Sequence, residues 1–233
     1  MRYVPSDEMQ KDAIPYEGLG EKSWVVIDGH LTGVVENYKP VKLGAALDIG
    51  CGSGFIARVL GRIFPRVYGV DLADYRRQDR KVDIHFDQVD LNFQALPYPD
   101  GMFDMVTAFQ VIEHLENPFL IMREARRVLR PGGLFMISMP NPYNMIFRIK
   151  FLLTGTMPPW NALNNHLLFM TRDVFAKTYL SHFDVAEMFY QKGVMPFSGR
   201  MQWFLGKKKG KNKKILPRSE WFSSRIGYVL RKK

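Results

Sequence analysis

A glycine-rich loop constrains the fold of this 233-residue chain more than any other feature. The apolar run Ala45–Ile49 leads into glycines at positions 50, 52 and 54, and a helix-like stretch follows directly. Glycines allow positive φ angles and a close approach of the backbone to a ligand, and a helix that begins there offers unpaired N–H groups to an anion. The order strand, glycine loop, helix predicts an α/β fold that binds a nucleotide-like ligand where the first strand ends.

Seven apolar runs predict strands. The first five alternate with helix-like stretches, among them 54–63 and 117–129, an order that predicts a parallel sheet with right-handed crossovers. The last two lie on either side of a long excursion after a predicted helix at 171–180, and we expect them to pair antiparallel at the sheet edge. The predicted strands are Ala45–Ile49, Val67–Val70, Ile84–Val89, Met105–Phe109, Leu134–Met139, Asp184–Tyr190 and Arg225–Arg231.

The length suits one well-buried α/β domain with sequence left over for substrate-specific additions. No internal repeat is visible, so we predict a single domain over residues 1–233. Its expected parts are an N-terminal helical cap at 1–40, a cofactor-binding core at 45–140, a substrate lid at 141–170, and, at 171–233, a C-terminal helix, edge strands and a basic loop at 207–214.

The positive charge of the chain is concentrated at its end. The 33 Lys and Arg and 23 Asp and Glu give a net charge of +10. From residue 200 onward there are 12 basic residues and one acid, Glu220, so the first 199 residues hold 21 basic and 22 acidic side chains. Six lysines fall between Lys207 and Lys214. This segment is either a solvated loop or a contact with an anionic surface, membrane or nucleic acid.

The single cysteine, Cys51, excludes an intramolecular disulfide and favours a reducing, cytoplasmic setting. The N-terminal residues have no signal-peptide pattern. The most apolar run, Met145–Leu153, is interrupted by Arg148 and Lys150 and is shorter than the ~20 residues that a membrane span needs. We expect a cytoplasmic protein, with a peripheral position at the membrane as the open alternative.

The residues around the glycine loop fit an amino acid joined to a nucleoside better than a dinucleotide. A dinucleotide loop would carry its last glycine at the position of Phe55. Asp48 can hold an ammonium group, directly or through water, and a pyrophosphate would gain nothing from that charge. Asp71 ends the second strand, where a carboxylate can accept ribose hydroxyls. Asp90 and Leu91 end the third strand, where they can recognise an adenine or form a turn.

Four segments occur in a characteristic order: LDIGCGSG, VYGVDLA, LPYPDGMFDMVTAFQVIEHLENP and RVLRPGGLFMISMPNPYN. Over about 45–190 the chain therefore resembles the class I S-adenosylmethionine-dependent methyltransferases, a broad group that includes ubiquinone-biosynthesis O-methyltransferases and small-molecule and glycan methyltransferases. The resemblance implies S-adenosylmethionine as cofactor and a Rossmann-like, doubly wound, seven-stranded sheet, mostly parallel with an antiparallel C-terminal edge strand. The expected cofactor contacts are Asp48, Gly50, Cys51, Gly52, Gly54, Asp71, Leu72, Asp90, Leu91 and Gln110.

The candidate catalytic residues follow the fourth strand. Gln110, Glu113 and His114 are three and four residues apart, a spacing that brings side chains to one face of a helix or turn. A base near an acceptor hydroxyl would assist methyl transfer. The later segment NNHLLFMT contains His166 and resembles a segment of glycan and quinone methyltransferases. We expect catalysis from His114, Glu113 and His166, each of which could instead cap a turn or hydrogen-bond a loop.

A divalent cation is a further implication of the resemblance. In some relatives, among them small-RNA 2′-O-methyltransferases, the motif E-x-x-E-H and a later histidine bind a cation that activates the acceptor oxygen. Glu113, His114 and His166 match three of these ligands, but Gln110 replaces the first glutamate. A neutral amide is a poorer ligand than a carboxylate for a hard cation. We therefore predict that no metal is used.

The favoured function is O-methylation of a small-molecule, glycan or lipid-linked acceptor. Apolar residues between Phe147 and Trp160, with Arg148 and Lys150 among them, could contact such an acceptor or form a plain hydrophobic lid. One alternative is an RNA methyltransferase that uses the basic C-terminal segment. Another is a non-catalytic binding subunit with the same fold.

Overall fold

The computed structural model describes residues 31–38, 43–76, 84–160, 165–191 and 220–233. Its strands are β1 (Ala45–Ile49), β2 (Arg66–Asp71), β3 (His85–Gln88), β4 (Phe103–Phe109), β5 (Leu129–Pro140), β6 (Phe183–Gln191) and β7 (Arg225–Lys232). Its helices are α1 (Phe55–Leu60), α2 (Pro118–Val128), α3 (Met145–Thr154) and α4 (Arg172–Thr178), with a helical segment at 31–38 and a 3-10 turn at Ile112–His114.

The seven strands form one sheet in the order β3-β2-β1-β4-β5-β7-β6. The first five are mutually parallel, whereas β7 runs antiparallel between β5 and β6. The chain moves outward from β1 to β3 and then returns to place β4 on the other side of β1. This reversal creates a crevice at the carboxyl ends of β1 and β4, the usual ligand position in open α/β sheets.

The predicted fold class is confirmed, including the antiparallel pairing of the two late strands. Within that pair the C-terminal strand β7 is the inner one and β6 is outermost. The fifth strand begins at Leu129 rather than at Leu134, because Pro131-Gly132-Gly133 forms an irregularity within the strand and Gly132 takes a φ of 73°.

Both faces of the sheet are covered, so every residue of β1 and β4 is buried. Alternate side chains of β5 point to opposite faces: Phe135 and Ile137 join the cluster with Ile121 of α2, and Met136 joins the one with Ile56 of α1. Strands that are buried on both faces consist mostly of apolar residues, and for this reason β1 and β4 can be predicted from apolar runs in the sequence.

The predicted cap at 1–40 lies largely outside the described residues, apart from the helical segment 31–38, and the basic loop at 207–214 lies wholly outside them. The predicted lid at 141–170 contains α3, which is followed by an antiparallel bridge between Met157 and Trp160. Within the described ranges, no helix is both long enough and apolar enough to cross a bilayer.

Candidate active site

The glycine loop uses left-handed backbone conformations at all three glycines. The φ angles are 65° at Gly50, 48° at Gly52 and 77° at Gly54. The Gly50 and Cys51 N–H groups donate to the Val70 carbonyl at 2.8 and 3.1 Å, and the Gly54 N–H donates to the Cys51 carbonyl at 2.8 Å. The loop is therefore fixed to the neighbouring strand in a conformation that L-residues with side chains adopt only with strain.

The first two glycines are needed for different reasons. A Cβ atom at Gly50 would lie 2.5 Å from Cγ2 of Val111, so the packing of the fold excludes a side chain there. A Cβ atom at Gly52 would meet nothing within 4 Å. The backbone at Gly52 thus borders open space, as a loop that a ligand approaches closely must do.

Asp48 lies beneath this loop with 2 % of its surface exposed. Its Oδ1 accepts a hydrogen bond from the Thr107 hydroxyl at 2.7 Å, whereas its buried Oδ2 accepts none from the described residues. Burial raises the pKa of this carboxyl to about 7. A buried acceptor of this kind fits a cofactor donor group or a bridging water, because it is costly to leave unsatisfied.

Asp71 is the last residue of β2 and is hydrogen-bonded to the glycine loop. Its Oδ2 accepts from the Gly52 N–H at 2.8 Å and its Oδ1 accepts from the Leu72 N–H at 2.7 Å. Burial raises the pKa of this carboxyl as well. Each carboxylate oxygen has a further lone pair, so these contacts leave room for the predicted ribose hydroxyls.

The other predicted cofactor residues have structural contacts. Asp90 forms a turn: its Oδ1 accepts from the Asn92 N–H at 3.0 Å, and its own N–H donates to the Gln94 side chain at 2.6 Å. Leu91 packs in the core. The thiol of Cys51 is buried and would touch a Cβ atom at Gly69, and burial raises its pKa. Their contacts with adenine and cofactor stay predictions.

Gln110 occupies a strained position directly after β4. It is the only non-glycine among the described residues with a positive φ, at 55°. Its N–H donates to the Ser138 carbonyl at 3.0 Å, and its side-chain amide donates to the Ser138 hydroxyl at 3.3 Å. These bonds to β5 stabilise the strained backbone of Gln110, which sets the direction of the 3-10 turn that follows. Backbone strain of this kind is concentrated at functional sites.

Hydrogen bonds bring the late histidine segment onto that turn. The Glu113 carbonyl accepts from the N–H groups of Leu167 and Leu168 at 2.7 and 3.2 Å. Nδ1 of His114 lies 3.3 Å from the Asn165 carbonyl. The rings of His114 and His166 consequently meet edge to face, with centroids 4.7 Å apart. The structure thus brings together the three predicted catalytic residues.

The electrostatics of this cluster favour neutral side chains. Glu113 has 1 % of its surface exposed, and neither carboxylate oxygen has a hydrogen-bond partner among the described residues. Burial raises the pKa of Glu113 to about 8. Burial, reinforced by His166, lowers the pKa of His114 to about 4, and burial also lowers the pKa of His166. At neutral pH the cluster holds a protonated carboxyl and two uncharged imidazoles.

The tautomer of His114 follows from its hydrogen bond to the Asn165 carbonyl. A carbonyl oxygen can only accept, so Nδ1 carries the proton that is donated to Asn165. Nε2 is then the unprotonated nitrogen, and it is buried with no partner among the described residues. The structure therefore presents a free lone pair beside an unpaired carboxyl.

A narrow apolar pocket adjoins the cluster, and in this structure it has no room for a water molecule. Trp160 closes one side of it and is held by a hydrogen bond from its indole N–H to the Leu168 carbonyl at 2.7 Å. The other apolar lining residues come from distant segments, so no local sequence pattern assigns them to one site. The pocket is lined by Ile112, Glu113, Met139, Pro140, Trp160, Leu168 and Met170.

The same cluster has the donor set of a metal site. One ligand atom from each of Glu113, His114 and His166 lies within 4.8 Å of the others, and carboxylate with imidazole suits several divalent cations. The amide of Gln110 is engaged by Ser138 rather than by this cluster. That no metal is used stays a prediction, and a chelator tests it.

Replacing Glu113 with glutamine should remove a pH dependence of stability. A folded-state pKa raised from 4.5 to about 8 means that the folded protein keeps the proton across this window. The associated stability is complete below pH 4.5 and is lost as the pH rises through about 8. Glutamine mimics the protonated carboxyl at every pH. The melting temperatures of the two proteins should therefore agree near pH 5, and the variant should be higher by about 5 °C or more at pH 8.5.

Glu116→Gln is the matched control, because Glu116 is exposed three residues further along. It should change the melting temperature equally little at both pH values. A Glu113→Gln difference that stayed constant from pH 5 to 8.5 would show that burial does not hold the Glu113 carboxyl in its protonated form.

Comparisons with known proteins agree with this geometry. A family model described as a methyltransferase domain matches residues 47–137. A Mycolicibacterium smegmatis protein named "Probable S-adenosylmethionine-dependent methyltransferase" is 41 % identical over 100 residues, which cover 41 % of this chain and 37 % of that protein. A ubiquinone biosynthesis O-methyltransferase of Paraburkholderia xenovorans is 29 % identical over 126 residues, which cover 51 % of this chain and 50 % of that protein.

Solved structures share the fold over most of the chain. An S-adenosylmethionine-dependent methyltransferase from Mesorhizobium loti has a TM-score of 0.54 at 16 % identity, covering 86 % of this chain and 96 % of that one. The PH0226 protein from Pyrococcus horikoshii has a TM-score of 0.59 at 17 % identity, covering 97 % and 99 %.

The chain spans half or less of the length of these two curated relatives, and the family model matches the part of the chain that holds the predicted cofactor residues. That part contains the glycine loop, Asp71 and the buried Asp48, and these two aspartates are predicted to hold the ribose and amino-acid parts of the cofactor. The matched methyltransferase domain, the sheet order and the fit of these residues to the cofactor support a class I S-adenosylmethionine-dependent methyltransferase.

Proposed function

We propose that this chain transfers a methyl group from S-adenosylmethionine to a hydroxyl of a small-molecule, glycan or lipid-linked acceptor. One observation carries the proposal: the unpaired buried carboxyl of Glu113 lines an apolar pocket where the turn after β4 meets β5, and the unprotonated nitrogen of His114 lies in the same cluster. Buried unsatisfied groups are costly, and they are tolerated where they serve a ligand.

The cofactor supplies a methyl group bound to a sulfonium, which is already a good leaving group. The chain's contribution is to hold and align the reactants, which can be worth an effective molarity of ~10⁵ M or more. Gly52 borders the open space beside the loop, Asp48 offers its unpaired oxygen, and Asp71 offers its remaining lone pairs. These three groups fit the amino-acid and ribose parts of the cofactor.

His114 is the proposed general base. Its Nε2 takes the proton of the acceptor hydroxyl as the new oxygen–carbon bond forms and the sulfur–carbon bond breaks. Its low pKa keeps it unprotonated at neutral pH, although the same low pKa makes it a weak base. Glu113, protonated below pH 8, can donate to the acceptor oxygen and orient it. His166 packs against the His114 ring and fixes its orientation.

We also propose the cytoplasm as the setting and a peripheral position at the membrane. The single, buried Cys51 supports the first proposal, and the exposed apolar helix α3 supports the second. The RNA alternative depends on Lys207–Lys214, which lies outside the described residues.

The acceptor class can be identified by radiolabelled-methyl transfer into cell extracts separated into lipid, saccharide, small-molecule, RNA and protein fractions. We expect label in one of the first three and none with heat-inactivated protein. Label in RNA that is lost when residues 207–214 are deleted would favour the RNA alternative. Absence of label from every fraction, with cofactor binding intact, would favour a binding subunit.

A chelator added to the active reaction tests the predicted absence of a metal. Turnover should survive EDTA. Loss of turnover that magnesium or another divalent cation restores would instead assign Glu113, His114 and His166 as ligands.

A further inference from the structure

Helix α3 is apolar and yet remains outside the core. Seven of its ten residues, in the sequence MIFRIKFLLT, are apolar, and none of the ten is buried. Leu152 and Leu153 are 83 % and 77 % exposed, the highest values among the large hydrophobic residues of the described chain. A helix with so little polar surface is normally buried in a protein or in contact with lipid, and exposed patches of this kind mark interaction sites.

The helix is firmly held in this exposed position. The Asn144 side chain accepts from the N–H groups of Ile146 and Phe147 at 2.9 and 3.2 Å, and it donates to the Ser223 carbonyl at 3.1 Å. Gly155 ends the helix in a left-handed conformation with a φ of 67°. Capping at both ends and an anchor to a distant segment fix the helix as a projection from the fold.

Its apolar and basic side chains are arranged for a bilayer surface. Ile149, Leu152 and Leu153 are three and four residues apart and share one face. Arg148 and Lys150 are exposed and lie about 100° to either side of Ile149, at the borders of that face. Leucine and isoleucine directed into the acyl region, with basic residues at headgroup depth on both sides, are typical of interfacial helices.

The charge of the chain around α3 indicates which kind of bilayer the helix would contact. Along the sequence there is no Asp or Glu between Glu124 and Asp173, which lie 21 positions before and 19 positions after α3. Glu220, near the start of the helix in space, is paired with Arg172. Basic residues near an anionic membrane surface each contribute about 1 kcal/mol of attraction. An anionic bilayer therefore complements this segment, whereas lysine is depleted in interfaces between proteins.

The length of α3 determines how deep it can lie. Ten residues of helix extend about 15 Å, half of the ~30 Å hydrocarbon thickness of a bilayer. We propose that α3 docks the protein on an anionic lipid bilayer, lying in the interface with Ile149, Leu152 and Leu153 inserted and Arg148 and Lys150 among the headgroups.

This docking would place the proposed acceptor pocket at the membrane. Pro140 and Trp160 both line the pocket, and they precede and follow α3 by five and six residues. The acceptor class that follows is a lipid-linked one, and this consequence, unlike the docking, rests on the proposed function.

Vesicle flotation without cofactor tests the docking by itself. The full chain should float with vesicles of phosphatidylcholine and phosphatidylglycerol and much less with phosphatidylcholine alone. Leu152→Ser with Leu153→Ser should reduce the bound fraction at limiting lipid by about tenfold or more, because the inserted apolar area is lost. Phe93→Ser is the matched control: Phe93 is 66 % exposed on another segment, and its loss should leave flotation unchanged.

A fluorophore reports whether α3 itself enters the lipid. Cys51 is buried and burial raises its pKa, so an environment-sensitive dye should label Leu153→Cys selectively. Its emission should shift to the blue only with anionic vesicles, and the same dye on Phe93→Cys should not shift.

Three results would overturn the docking. They are absence of flotation, flotation equal in the wild type and the double serine variant, and a wild-type dimer that the serine variant dissociates without any vesicle binding. The last would assign the face to a second copy of the chain. Because no cofactor is present, each result is independent of methyl transfer.

Discussion

Gly52→Val is expected to weaken binding of S-adenosylmethionine by about 100-fold or more, a loss of ~2.7 kcal/mol, while the protein stays folded. A side chain at this position meets no protein atom within 4 Å and so enters the open space that the ligand approaches. The Gly52 N–H also donates to the Asp71 carboxylate, so a shift of the Gly52 backbone would disturb the hydrogen bond that holds the loop to the end of β2. Isothermal titration calorimetry measures the affinity, and circular dichroism follows the fold.

The cost to the fold is limited to backbone strain. Valine at a φ of 48° costs about 1–3 kcal/mol, less than the ~5–15 kcal/mol that stabilises a typical domain. Gly132→Val is the matched control: its φ is 73°, a Cβ atom there also meets nothing within 4 Å, and it lies near the start of β5, at the opposite end of the parallel strands from the loop. It should lower stability similarly and leave cofactor affinity within twofold. Equal losses of affinity in both variants would mean that strain, and not the ligand space at Gly52, is responsible.

His114→Ala is expected to lower turnover by ~10²–10⁴-fold, the usual contribution of a general base, with the cofactor dissociation constant nearly unchanged. The residue belongs to the cluster beside the pocket and makes none of the contacts that hold the glycine loop. Single-turnover methyl transfer and calorimetry on the same preparation separate the two effects. His182→Ala is the control, because His182 precedes β6, the outermost strand, whereas His114 follows the central strand β4.

Turnover within threefold of wild type would remove His114 from the reaction. Loss of cofactor binding in a folded His114→Ala variant would also contradict the catalytic role, since it would place His114 at the cofactor. A variant that recovers activity with added imidazole would support the base directly, because a purely structural histidine is not replaced in this way.

The parts of the fold that could be predicted are those that local patterns determine. The central strands β1 and β4 are buried on both faces, so they appear in the sequence as apolar runs such as Ala45–Ile49. The three glycines mark positive φ angles that the structure confirms. The early start of β5 at Leu129 was missed, because Pro131-Gly132-Gly133 is typical of a turn and here forms an irregular stretch within a strand.

The sequence predicts which residues belong to the site better than it predicts the contacts between them. The spacing of Glu113 and His114 and the segment around His166 indicated the cluster, but the hydrogen bonds from Leu167 and Leu168 to Glu113 join segments more than 50 residues apart. Such pairings have no local signal. The positive φ of Gln110 has no local signal for the same reason, because it is held by Ser138, 28 residues away.

The most direct test of the cofactor assignment is a calorimetric titration of the full chain with S-adenosylmethionine and with its demethylated product. The arrangement of the glycine loop, Asp48 and Asp71 predicts saturable binding of both ligands with one site per chain. No heat and no saturation with either ligand at millimolar concentration, in protein shown to be folded, would contradict it.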